Sequence, residues 1–222
     1  MMFKIKRQPT RLAVIIRWTQ YSFLVVGVLA LSYCAVVLIN KWAFQAYQTW
    51  RFDRALKDAQ ASEHANPQPA SSVLSSQDNL DPADRQFTNI SAGSPLGRLE
   101  ISSIGIAAMI MEGIGGKTLQ VAVGHIPRTA FPGQHGNIGL AAHRDTFFRP
   151  LRNIHKDDVI VLTTLRGPYR YIVDSTQIVD PDDISVLAAT ADDVLTLVAC
   201  YPFYYVGPAP KRFIVRARRI VE

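Results

Sequence analysis

Cysteine is almost missing from this chain: 222 residues hold two, Cys34 and Cys200. A single pair excludes the disulfide framework of a small secreted scaffold. Acidic residues are missing altogether from the first 17 positions, where Lys4, Lys6, Arg7, Arg11 and Arg17 supply five positive charges. Clusters with metal-ligand spacing are missing too. The pairs Asp157-Asp158, Asp182-Asp183 and Asp192-Asp193 stand at strand or helix entries, where capping accounts for them. The expectation is no metal and no cofactor.

Charge is also absent from Trp18 to Ile39, a run of 22 residues. As a helix it measures about 33 Å, against a hydrocarbon core of about 30 Å, so it predicts one transmembrane helix at 18–39. The basic residues ahead of the run place residues 1–17 in the cytoplasm and everything past Ile39 outside it. Most of the net charge of +6 sits on that flank, which excludes nucleic acid as the partner implied by the pI of 9.5. A cleaved signal peptide would be shorter and end in a small-x-small site, and a lipoprotein signal would not carry the bulky Tyr33 ahead of Cys34. Cys34 reads as an apolar helix residue, which leaves Cys200 as a lone thiol in the outer region.

Residues 40–89 read as a juxtamembrane helix and a flexible tether. Trp42, Phe44, Tyr47, Trp50 and Phe52 suit the membrane interface, whereas Ser62 to Asn89 has no periodicity and few large apolar residues. The remainder, 90–222, has the size of one ordinary domain. Short strands are expected at Leu99–Ile101, Ile106–Met111, Ile138–Ala142, Val159–Thr164, Tyr169–Val173, Gln177–Val179, Val194–Cys200 and Arg212–Ile220. Brief helices are expected near Lys117–Val123 and Pro181–Leu187. This is an all-β pattern, a barrel or a sandwich.

The last two strands flank a loop punctuated by Pro202, Gly207, Pro208 and Pro210, so they are expected to pair. Alternation puts Leu195, Leu197 and Ala199 on one face and Cys200 on the other; Arg212 likewise falls opposite Phe213, Val215 and Ala217. A thiol then stands beside a guanidinium on an outer face. Such a thiol is mostly protonated at neutral pH, and attack on an amide also needs an acid for the leaving amine, the usual work of histidine. His64 lies in the tether, His155 in a polar turn, and His125 and His135 flank Pro127 and Pro132-Gly133, where they shape a loop. His143 ends a strand, a position from which a rigid scaffold commonly presents catalytic groups. Tyr201, Phe203, Tyr204 and Tyr205 either line a groove or pack the loop, and Asp145 reads as a turn residue.

Three segments together, Gly139 to Leu151 around His143-Arg-Asp-Thr-Phe-Phe, Thr196-Leu-Val-Ala-Cys200 and Lys211-Arg212-Phe-Ile-Val-Arg, resemble the signatures of the sortase family, most nearly class D. The resemblance spans about Ile90 to Glu222. It implies a closed eight-stranded β-barrel with short helices and a membrane-anchored cysteine transpeptidase. On that pattern Cys200 is the nucleophile, His143 the acid and base, and Arg212 the donor to the oxyanion or substrate carbonyl. The implied substrate is a surface protein bearing a Leu-Pro-x-Thr-Gly-like signal, and the acceptor an amine such as a peptidoglycan cross-bridge or a pilin lysine. Sortases often carry Thr or Ser just before the cysteine; here that position is Ala199. Specificity is expected in 174–191 and in the loop after Cys200.

Two rival readings remain. The L,D-transpeptidases also use Cys and His, but their Ser-His-Gly-Cys-x-Arg type motif is absent. A membrane-tethered barrel that only binds surface-protein tails would need no reactive thiol.

Overall fold

The computed structural model describes residues 17–37, 39, 47, 50, 54 and 90–220. The chain divides into two compact units, Met1–Phe44 and Gln45–Glu222. In the first, helix α1 (Arg17–Val37) is the one described helix long and apolar enough to cross a membrane. All its side chains are exposed, as a helix needing an apolar solvent would leave them. In the second, Tyr47, Trp50 and Arg54 are helical; the two rings stack at 6.4 Å and the guanidinium lies 5.1 Å from the Trp50 ring. Trp42, Phe44, Phe52, His64 and the expected tether lie outside the described residues.

Residues 90–220 of the second unit form a closed barrel. Its strands are β1 (Pro95–Ile101), β2 (Ile106–Glu112), β3 (Val123–His125), β4 (Asn137–Ala142), β5 (Val159–Thr164), β6 (Gly167–Val179), β7 (Val194–Tyr201) and β8 (Lys211–Ile220). Around the barrel they run β1-β2-β3-β4-β7-β8-β6-β5, and β1 pairs with β5 to close it. The pairs β2/β3 and β4/β7 are parallel; the others are antiparallel. Closure removes the unpaired edges that an open sheet would present.

Alternation decides what fills the interior. Leu99 and Ile101 of β1, Leu140 and Ala142 of β4, Leu195, Leu197 and Ala199 of β7, and Val215 and Ala217 of β8 form one buried cluster. The outer face of β7 departs from simple alternation, because Thr196 is also fully buried. Its hydroxyl donates to Asn137 Oδ1 at 2.7 Å, and Asn137 Nδ2 donates to the carbonyls of Val186 (3.0 Å) and Ala188 (3.1 Å). The β6–β7 connection is thereby fastened over the outer face of β4 and β7. Gly139 permits the approach, since a Cβ there would sit 3.1 Å from Leu187 Cδ2 and 3.0 Å from Thr129 Cγ2.

The expected number of strands agrees with the barrel, but the strands are not the same set. The two expected at Tyr169–Val173 and Gln177–Val179 are one, β6, because Ser175 and Thr176 keep pairing with Arg216 and Val215 of β8 through a register shift after Val173. The polar triplet Asp174-Ser-Thr marks that bulge and not a turn. Strand β3 is too short to show a period, and its Val123 falls at the end of an expected helix. That helix, α2, runs Gly116–Val121. The helix expected at Pro181–Leu187 is a 3-10 turn, Ile184–Leu187, capped by Asp183, whose carboxylate accepts from Ser185 N at 3.1 Å.

Candidate active site

Three neighbouring strands carry the site. On β7 and β8, Cys200 and Arg212 are directly opposite partners, about 5 Å apart in the backbone. On the other side of β7, the parallel register with β4 ends at Ala142 level with Ala199. The next residue, His143, therefore leaves β4 level with Cys200, about one strand spacing away. Ala142 and Ala199 face the interior, so His143 and Cys200, one residue further on, both start outward. The structure thus brings His143, Cys200 and Arg212 to one end of the barrel on its outer side.

Their surroundings differ. His143 is exposed, whereas Cys200 and Arg212 are half-buried. Neither the His143 ring nor the Cys200 thiol makes a side-chain hydrogen bond among the described residues, and both cysteines are free. Arg212 Nη1 donates to the carbonyls of Ala209 (3.3 Å) and Lys211 (3.1 Å), which holds the guanidinium against its own loop. The remaining Arg212 N–H donors are available to a ligand. Among the described residues no His, Cys, Asp and Glu grouping could hold a metal ion.

The other described histidines are elsewhere. His125 is buried, its Nδ1 2.6 Å from Glu112 Oε2 and its Nε2 3.0 Å from the Ala130 carbonyl, and it stacks on Phe131 at 4.7 Å. It ties β3 to β2 and to the loop beyond, the loop-shaping part expected of it. His135 pairs with Asp193 at 2.8 Å, and His155 is exposed in a turn.

The loop aromatics divide. Phe203 packs edge-on against Phe213 at 5.2 Å, with Tyr201 beside both rings, and so continues the core. Tyr204 and Tyr205 turn outward and meet cations from the β4–β5 connection: Arg152 lies 5.1 Å from the Tyr204 ring and Arg144 5.7 Å from the Tyr205 ring. Arg144 Nη2 also donates to the carbonyls of Tyr205 (2.7 Å) and Gly207 (2.8 Å). Sequence patterns do not single out Arg144, because no local signal links a side chain to backbone carbonyls on a remote loop. Asn137 escapes them for the same reason.

A closed barrel with a thiol, an imidazole and a guanidinium gathered at one end of its outer face defines a class of cysteine acyl-transfer enzymes. Known proteins give that class its family. A family model described as the sortase domain matches residues 99–220. Sortase D of Bacillus subtilis is 35% identical over 169 residues, 76% of this chain and 84% of the relative. A Clostridium perfringens sortase D5 transpeptidase superposes with a TM-score of 0.56 at 27% identity, over 64% of this chain and 91% of that one. The sortase C of Clostridium perfringens, solved with the C-terminal cell wall sorting motif, gives 0.56 at 31% identity, over 61% and 76%. This chain belongs to the sortase family of cysteine transpeptidases, and its resemblance runs to class D.

Proposed function

We propose that the chain cuts a Leu-Pro-x-Thr-Gly-like signal after the threonine and transfers the protein to an amine, with Cys200, His143 and Arg212 as the reacting set. The placement of Cys200 between His143 on one neighbouring strand and Arg212 on the other is what supports this. The Cys200 thiolate attacks the threonine carbonyl carbon, and the carbonyl electron pair moves to oxygen. Arg212 donates to that oxygen, where a permanently charged planar group is worth more than it would be in water. As the oxyanion collapses the C–N bond breaks, and His143 gives its proton to the departing glycine nitrogen. The product is a thioester on Cys200. An incoming amine, from a peptidoglycan cross-bridge or a pilin lysine, loses a proton to His143 and attacks the thioester, which returns the thiolate.

The same reading orders the chain. Residues 1–17 are cytoplasmic, 18–39 span the membrane, 40–89 are a juxtamembrane helix and tether, and 90–222 form the catalytic barrel outside. The positive flank on Lys4, Lys6, Arg7, Arg11 and Arg17 supports that orientation. The sorting-motif complex of the Clostridium perfringens sortase C supports the substrate class.

The deciding experiment is covalent labelling of the full chain by a sorting-signal mimic with a thiol-reactive group in place of the threonine carbonyl. One adduct is expected, on Cys200, and none in Cys200→Ala. Absence of an adduct on the folded wild type would sink the enzyme assignment for this site.

A further inference from the structure

Arg144 follows His143 directly, yet its guanidinium reaches the loop that leads from Cys200 to Arg212. One nitrogen, Nη2, donates to two carbonyls there, Tyr205 at 2.7 Å and Gly207 at 2.8 Å, and the Tyr205 ring lies 5.7 Å from the cation. The other, Nη1, is buried with no partner. A buried donor left unpaired is costly, so the group is held for the bonds Nη2 makes, which are charge-assisted. The grip has a purpose two residues further along the chain. The carbonyl of Ala209, next after Pro208 and Gly207, accepts from Arg212 Nη1 at 3.3 Å.

We infer that Arg144 is a positioning residue for the transpeptidation: it fixes the β7–β8 loop, and the fixed loop aims the Arg212 guanidinium. The path is contiguous, Arg144 Nη2 to the carbonyls of Tyr205 and Gly207, along the chain to the Ala209 carbonyl, then to Arg212 Nη1. Gly207 holds φ at +114°, a backbone state that side chains rarely adopt, so the loop needs glycine there to turn its carbonyl to Arg144. Because one nitrogen makes both bonds, a lysine ammonium with three donors can replace them at position 144. The same exchange at position 212 loses the planar fork. The inference rests on the proposed role of Arg212.

The test is a double-mutant cycle on the full chain in detergent, read by cleavage of a Leu-Pro-x-Thr-Gly peptide and by thermal midpoint. Arg144→Met is expected to lower kcat about tenfold with KM within about twofold, and to cost less than about twofold when Arg212 is already Lys. Arg144→Lys is expected to keep kcat within about threefold of wild type, with an unchanged midpoint. Equal losses in both Arg212 backgrounds, or a Lys variant as slow as the Met variant, overturn the positioning path alone. Wild-type kinetics in Arg212→Lys remove the role of Arg212 and this inference with it. Should Arg144→Met fail to fold, Arg144→Lys decides: retained kcat supports the clamp, and a tenfold loss at an unchanged midpoint overturns it.

Discussion

Ala142 on β4 stands level with Ala199 on β7, and that parallel pair is what sets His143 beside Cys200. Both alanines face the barrel interior. The chain then leaves β4 at the height at which β7 presents its thiol, and the antiparallel pair Cys200 and Arg212 completes the set from the other side. A change of register by one residue on either side of β7 would turn a partner inward, because side chains alternate with period two.

Arg212→Lys keeps the charge and removes the fixed fork. We expect kcat for cleavage of the signal peptide to fall by about a hundredfold, the size of loss seen when an oxyanion donor is removed. The thermal midpoint should stay within a degree or two of wild type, since Arg212 is only half-buried. A normal kcat would argue against a directional role.

Asn137→Ala strips Thr196 of its acceptor and frees the carbonyls of Val186 and Ala188. The loss of stability should be about 2–3 kcal/mol, the cost of leaving buried polar groups unpaired, read as a lowered denaturation midpoint. The 3-10 turn at Ile184–Leu187 would lose its fastening to the outer face of β4 and β7, so KM for the signal peptide should rise more than kcat falls. An unchanged KM in the destabilised variant would show that this connection does not touch the signal.

Asp193 sets an acid limit. Burial by itself would raise its carboxyl, but hydrogen bonds from Arg219 (2.9 Å), from His135 (2.8 Å) and from the Gly136 N–H outweigh burial and hold it below its ordinary value of 3.8. A carboxyl lowered on folding contributes stability that is complete above its unfolded value and is lost as pH falls through the folded one. The thermal midpoint of wild type should therefore fall as pH drops below 3.8, and Asp193→Asn should remove part of that fall. A midpoint-against-pH curve with the same acid limb in the variant would refute the assignment.

Much of the site is legible in the residues themselves. Cys200 is conspicuous because cysteine is so scarce, and the parity of Leu195, Leu197 and Ala199 turns it outward. His143 is separable from His125 because a readable strand, Asn137 to Ala142, leads into it, whereas the short β3 that ends at His125 shows no period. Strand β3 and the unbroken β6 are not legible. Three residues are too few to show a period, and Ser175 and Thr176 continue β6 only because β8 lies alongside to pair with them. Arg144 and Asn137 are invisible for a related reason: the groups they donate to are backbone carbonyls on remote loops, which carry no residue type to read.

Alone, the sequence determined an uncharged run long enough to cross a bilayer, the inward faces of β7 and β8, and a thiol and a guanidinium on the outward side. These follow from local geometry, the rise of a helix and the two-residue pleat of a strand. Tertiary structure decided which strand lies on each side of Cys200, how far the β6–β7 connection folds over the sheet, and that Arg144 grips the β7–β8 loop. It also decided what Ala199 faces: this position is 1% exposed among the core side chains, so a hydroxyl there would point into the apolar barrel and not to the outer side that carries Cys200. Those choices belong to barrel closure, which sets registers between segments far apart in the chain and which no local period encodes.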